Sequence, residues 1–218
     1  MQMDRRSPAP RRPRAETKQA THAALIAAGI EEFSEHGLDA SLDAICARAK
    51  LTRGAFYVHF ADRDGFIVAV MNHVLGGFIT ELTGRGADLG GVERGVRLFI
   101  AAAQARHPVV HAGRGLRFSH LMDACRRIPQ VGETYRRLIA MGRAQLATGL
   151  SADQNAERTR ADVEPAGIAD LLTVMVLGVV AALELEIPID LARLGDTALA
   201  VINPPRARRA GAADRPRS

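Results

Sequence analysis

The sequence predicts an all-α protein of about nine helices, and three observations carry that expectation. Apolar residues recur at spacings of three and four along most of the chain, while no apolar/polar alternation of strand type persists between turn signals. Gly37, Gly84-Arg85-Gly86, Pro108, Pro129 and Pro188 fall between the periodic segments and cut the chain into helix-sized lengths. A composition of 47% hydrophobic and 24% charged residues can bury a core, so most of the chain is expected to fold.

The elements follow in order. Residues 1–16, rich in Arg and Pro, are expected to be a disordered basic arm. From Thr17 to His36, Leu25, Ile26, Ile30 and Phe33 form one apolar stripe, and Gly37 is placed as a left-handed residue after the helix. Ser41 is an N-cap for a second, short helix whose inward face is Leu42, Ile45, Cys46 and Ala49. Lys50 and Leu51 make a tight turn, Thr52 caps a third helix from Arg53 to Phe60, and Phe56 and Phe60 point inward. Asp62 caps a fourth helix reaching about Leu82. Breaks at Pro108, Pro129, the polar stretch Ser151 to Glu164, and Pro188 then predict helices over 91–106, 110–127, 130–150, 165–186 and 190–201. Residues 203–218, opening with Asn203-Pro204-Pro205, are read as a second disordered basic tail. The first four helices enclose little core, so the remainder is expected to support them.

Charge and cysteine content narrow the function classes. The net charge of +5 is concentrated at the ends: residues 1–18 hold six basic side chains against two acidic ones, and residues 203–218 hold five arginines against Asp214. Cationic arms on a mildly acidic body suit a nucleic-acid partner, although such arms can also serve solubility alone. Cys46 and Cys125, 79 residues apart, give neither a disulfide framework nor a zinc-ligand spacing, and both read as small buried hydrophobes. The apolar stretch from Ile168 to Leu183 contains Asp170 and falls short of the roughly 20 residues of a membrane span. With no apolar segment after the basic N-terminus, a cytoplasmic protein without membrane attachment is expected.

Two short helices around a tight turn, the second opened by a capping hydroxyl, form a helix-turn-helix whose second helix fits the DNA major groove. In that helix Arg53 stands in the first turn, where a guanidinium can read guanine O6 and N7, and Gly54 and Ala55 let the backbone come close. Tyr57 and His59 offer donors to phosphate oxygens, as do Ser41 and Thr52. The segments Phe33-Ser34-Glu35-His36-Gly37, Ser41-Leu42-Asp43-Ala44-Ile45 and Arg53-Gly54-Ala55-Phe56-Tyr57-Val58-His59-Phe60 resemble the DNA-binding domain of the TetR family of bacterial transcriptional regulators, over about residues 17–75. The resemblance implies a homodimer whose N-terminal domain, residues 17–62, binds a palindromic operator in double-stranded DNA. A helical domain over 63–202 would then dimerise and accept a small, largely apolar effector that releases the repressor. Arg14 and Lys50 join the expected DNA contacts. Lys50 stands where the family usually has Gly, Cys46 and Gly29 where it has Ala, and Arg63 where a basic residue, usually Lys, faces phosphate. The family's pattern places the dimer interface in the last two helices, here 165–186 and 190–201.

Other constellations weigh less. His107 and His111 are four apart, but Pro108 interrupts them and no third ligand is fixed, so no metal is expected. Gly84-Arg85-Gly86 and Gly113-Arg114-Gly115 do not extend into a phosphate loop, and there is no GxSxG. No cofactor and no catalytic residue are therefore expected, which disfavours the alternative of an α-helical enzyme with a helix-turn-helix-like end. A ligand-independent DNA-binding protein is the other alternative. An effector pocket is sought around Phe78, Phe99, His111, Phe118, Met122, Tyr135, Met141 and Met175, with His111 and His120 as polar anchors, although most of this set reads equally as core.

Overall fold

Nine helices form among the described residues of the computed structural model, which are 14–84, 91–106 and 117–203, with side chains from Lys18 onward. They are α1 (Arg14–His36), α2 (Leu42–Arg48), α3 (Arg53–His59), α4 (Arg63–Thr83), α5 (Gly91–Gln104), α6 (Phe118–Arg127), α7 (Pro129–Asn155), α8 (Pro165–Glu184) and α9 (Leu191–Ile202). The basic arm up to Pro13, the tail from Pro204, residues 85–90 and 107–116, and the side chain of Arg14 lie outside the described residues. So do His111 and the first part of the helix expected over 110–127.

The helices refine the sequence reading at several points. Helix α1 starts at Arg14, within the segment expected to be an arm, because Arg14, Ala15, Glu16 and Lys18 are good helix formers. The expected break before residue 130 holds, with Ile128 at the junction, and Pro129 itself opens α7, since a first-turn proline loses no helical hydrogen bond. That helix runs on through Ser151 to Asn155, with the Ser151 hydroxyl donating to the Ala147 carbonyl at 3.0 Å. Helix α4 is not uniform: Asn72–Gly76 is a π turn, followed directly by Gly77, and Gly76 and Gly77 are poor α-helix formers.

The core is one aromatic-rich cluster around the first four helices and two smaller ones behind it. Leu25, Phe33, Ile45, Phe56, Phe66 and Met71 are almost wholly buried, and Leu121, Ala124, Val131 and Leu138 from α6 and α7 complete the same cluster. The expected support of the N-terminal helices by the rest of the chain takes this form. Phe66 stands edge-on to Phe56 and Phe60, with ring centres 5.2 and 4.8 Å away. Each such ring contributes about 2–3 kcal/mol through burial alone. Val92, Val96, Leu150, Ile168, Leu172 and Ile202 pack a second cluster, and Phe99, Ile100, Ala103 and Val179 a third.

By length and composition both α4 and α8 could cross a membrane, so the expected shortfall of the Ile168–Leu183 stretch does not hold: α8 is 20 residues long. One face of α8, with Ile168, Ala169, Leu172, Val179 and Ala182, is buried in the protein. Its opposite face is not covered within the described chain, where Leu171 and Val174 are 52% and 67% exposed.

Candidate nucleic-acid interface

Capping chemistry sets the turn between α2 and α3. Ser41 Oγ accepts from the Ala44 N–H at 3.1 Å and opens α2. At its end the Lys50 N–H donates to Ala47 O and the Leu51 N–H to Cys46 O, the paired bonds of a left-handed helix stop. Lys50 itself sits at φ +56°, so the residue in the glycine position takes the left-handed conformation and keeps its side chain exposed. Thr52 Oγ1 then accepts from the Ala55 N–H at 3.2 Å and opens α3. Burial, and secondarily Asp43, pushes the Cys46 thiol upward, which leaves it an inert part of the core.

Helix α3 buries Phe56 and presents Arg53, Gly54, Tyr57 and Val58 outward. A Cβ added to Gly54 would meet only Thr52 Oγ1, at 3.7 Å, so the fold leaves open space there. Tyr57 is 53% and Val58 68% exposed. Val58 was not among the sequence candidates, yet an outward β-branched side chain on a reading helix is suited to a thymine methyl. The signal was available, because Val58 lies off the inward Phe56/Phe60 stripe. Ala55 and His59 are only partly exposed. The His59 ring lies 5.9 Å from His22, and burial, then His22 and Lys18, hold its pKa below 6.5.

Two cations of the site have partners within the chain. Arg53 is engaged by Asp43 of α2: Nε donates to Oδ1 at 2.5 Å and Nη2 to Oδ2 at 2.8 Å. Arg63, expected at phosphate, is half-buried and donates to the carbonyls of Ala40, at 2.6 Å, and Leu38. Its guanidinium ties down the α1–α2 loop, whose backbone carbonyls lack helical partners, and faces inward for that reason. Glu32, Glu35 and His36 bring ligand atoms within 4.8 Å of one another, but the glutamates already hold Arg48: Nε to Glu32 at 2.6 Å and Nη2 to Glu35 at 2.6 Å.

The residues sought for an effector pocket divide among several places. Phe99 and Met175 line a narrow apolar space of about 90 Å³ between α4, α5, α7 and α8, together with Ile79, Val96 and Val176. Met141 lines an adjoining open cleft of about 650 Å³ with Thr80, Arg94, Gln145 and Thr148, and Leu82, Thr83 and Leu146 border both spaces. The polar residues of this cleft were missed, although Met141, Gln145, Thr148 and Ala152 form a stripe at helical spacing along α7. Phe78 packs with the third cluster, and Phe118 is half-buried at the start of α6. Met122 and Tyr135 pack on the N-terminal core rather than toward either space, and burial pushes the Tyr135 phenol to about 12. His120 is exposed against the α1–α2 loop, where a Cβ on Gly37 would lie 3.0 Å from its Nδ1, so it is no pocket anchor.

Residues 25–70 match the family model described as bacterial regulatory proteins, tetR family. No curated protein matches the sequence. Among solved structures, Salmonella enterica GusR aligns with a TM-score of 0.66 at 22% identity, over 84% of this chain and 95% of its own. SmeT in complex with triclosan aligns with a TM-score of 0.67 at 24% identity, over 92% and 100%. A further structure of SmeT, described as the repressor of the Stenotrophomonas maltophilia multidrug efflux pump SmeDEF, gives a TM-score of 0.59 at 26% identity, over 85% and 91%.

Proposed function

We propose, from the match of residues 25–70 to the tetR family model and from the helix-turn-helix geometry, that this chain is a DNA-binding transcriptional regulator of the TetR family, a cytoplasmic, ligand-released repressor that binds a palindromic operator as a homodimer. The observation that carries the proposal is α4, which packs Phe66, Ile67, Val70 and Met71 into the core under the reading helix and borders both interior spaces with Leu82 and Thr83. A ligand entering there pushes on the helix that seats the DNA-binding elements. The apolar lining of the narrow space favours a largely apolar effector. The triclosan complex of SmeT and the repressor role in its description support both halves of this reading.

On DNA, Arg53 reads guanine, Gly54 and Ala55 allow close approach, and Tyr57, His59, Ser41, Thr52, Lys50 and Arg14 face sugar and phosphate. The uncovered face of α8 with Leu171 and Val174 joins the two protomers, with α9 beside it. The domain division is a reading unit over 17–62 and a regulatory unit over 63–202, flanked by the two basic tails.

The test is selection of DNA from a random library by the purified chain, followed by binding and sedimentation measurements on the selected site. A two-fold symmetric site bound by a dimer and released by an apolar aromatic compound such as triclosan is the expected result. An asymmetric site bound by a monomer overturns the dimer reading. Tight binding that neither triclosan nor a panel of apolar compounds changes favours the ligand-independent alternative. Tyr57→Phe is expected to weaken operator and random DNA alike, and deletion of residues 1–13 to flatten the salt dependence by about 0.9 in log–log slope for each phosphate left without its cation.

A further inference from the structure

The Arg53–Asp43 contact has a geometry that bears on sequence reading. The pair is ten residues apart, one partner in the first turn of α2 and the other opening α3, and both side chains are mostly exposed. An exposed pair of this kind contributes little to stability. Its effect is on orientation. A guanidinium has five N–H groups, and Asp43 takes the one on Nε and one of the two on Nη2. What remains free is the outer edge, the two N–H groups of Nη1 and the second of Nη2. That edge is a planar fork with the spacing that guanine O6 and N7 accept.

We infer that Asp43 is a positioning residue for base reading: its carboxylate grips the inner edge of the Arg53 guanidinium and presents the outer edge to a guanine in the major groove. The inference rests on Arg53 as the guanine reader and deepens that reading. A free arginine would have to give up several rotamers on binding, whereas a gripped one has its fork fixed beforehand. The carboxylate also offsets the nonspecific attraction of the arginine to phosphate, so the pair shifts the contribution of Arg53 from general affinity toward discrimination.

The experiment takes the selected operator and a version with the critical guanine replaced by adenine, and measures the affinity ratio for the wild type, Asp43→Ala, Asp43→Asn, Arg53→Ala and the double variant. Thermal melts confirm that each is folded. Arg53→Ala is expected to lower the ratio about tenfold at one position per half-site. Asp43→Ala is expected to lower it about threefold or more at the same position while binding to random DNA tightens, with Asp43→Asn in between. In the Arg53→Ala background, removing Asp43 should restore general affinity and leave the ratio where Arg53→Ala put it. The inference is overturned if Asp43→Ala keeps or raises the wild-type ratio, if the two single variants act at different base pairs, or if their effects on the ratio add. An Arg53→Ala ratio unchanged at every position overturns Arg53 as reader and the role of Asp43 with it. An effect of Arg53→Ala alone removes only Asp43.

Discussion

Glu32 Oε1 lies 2.6 Å from Arg48 Nε, and the glutamate side chain is only 6% exposed. Arg48 reaches Glu31 and Glu35 as well, at 3.0 and 2.6 Å, so a single guanidinium from α2 gathers three carboxylates of α1. Removing it leaves a buried carboxylate beside two others. Arg48→Leu is expected to lower the thermal midpoint clearly more than Glu35→Gln, whose carboxylate is half exposed to water. Circular dichroism melts compare the two, and equal losses would show that burial of Glu32 does not matter.

Gly29 sets how closely α1 approaches α4. A Cβ there would stand 2.5 Å from Phe66 Cζ and 3.1 Å from Val70 Cγ2, and Phe66 is hemmed in by Phe33, Phe56 and Phe60. Gly29→Ala gains about 1 kcal/mol in helix propensity but loses about 1–3 kcal/mol to overpacking. A net destabilisation of about 1 kcal/mol is expected in urea unfolding, and a stabilised variant would mean that the ring can yield.

Lys50 combines strain with charge. At φ +56° a side chain costs about 1 kcal/mol relative to glycine, so Lys50→Gly should stabilise the fold by about that amount. If the ammonium also neutralises a phosphate, the log–log salt slope of DNA binding falls by about 0.9 in the same variant. Unfolding and binding titrations read the two effects separately.

His59 gives stability and DNA binding opposite responses to pH. The unfolded chain takes up its proton near the ordinary 6.5, while the folded imidazole, held lower by burial and by His22 and Lys18, does so only at more acid pH. In that window the unfolded state binds more protons, so stability declines as pH falls below about 6.5. Nearby phosphate favours the charged ring, so affinity for DNA should rise over the same interval. His59→Gln is expected to reduce both dependences, as read by thermal melts and binding at about pH 7.5 and 6.

The proposed dimer surface needs a test that leaves the core alone. Val176 lies inward, packed with the Phe99 cluster, so a charge there would damage the fold itself. Val174 is exposed, and a Cβ on Gly178 meets nothing within 4 Å. Val174→Glu and Gly178→Arg should therefore give folded monomers in sedimentation, with operator affinity sharply reduced and weak nonspecific binding retained. A variant that stays dimeric with native affinity would move the interface elsewhere.

Caps and helix stops were legible because their signals are local. Ser41, Thr52 and Asp62 each accept from the N–H three residues on, and Gly37 takes positive φ. The inward stripes of α1 to α3 followed from spacing alone. Side-chain partners across elements were not legible: nothing in the order of residues says that Arg63 turns back to carbonyls 23 and 25 positions earlier, or that Asp43 meets Arg53. The pocket set failed in part for the same reason. Aromatic and methionine residues mark apolar surroundings without saying which helix pair they lie between, so Met122 and Tyr135 belong to the N-terminal core while Phe99 and Met175 border the narrow space.

Helix α4 runs from Arg63 to Thr83, 21 residues with the π turn at its middle, and at about 1.5 Å per residue it is a lever about 31 Å long. One degree of tilt at its Thr83 end swings the Arg63 end through about half an ångström, which is the whole tolerance between a short and a long hydrogen bond. In the ligand-released dimer proposed above, a ligand need not reshape the reading head to loosen it; a few degrees between two such levers would take both heads out of register with the groove.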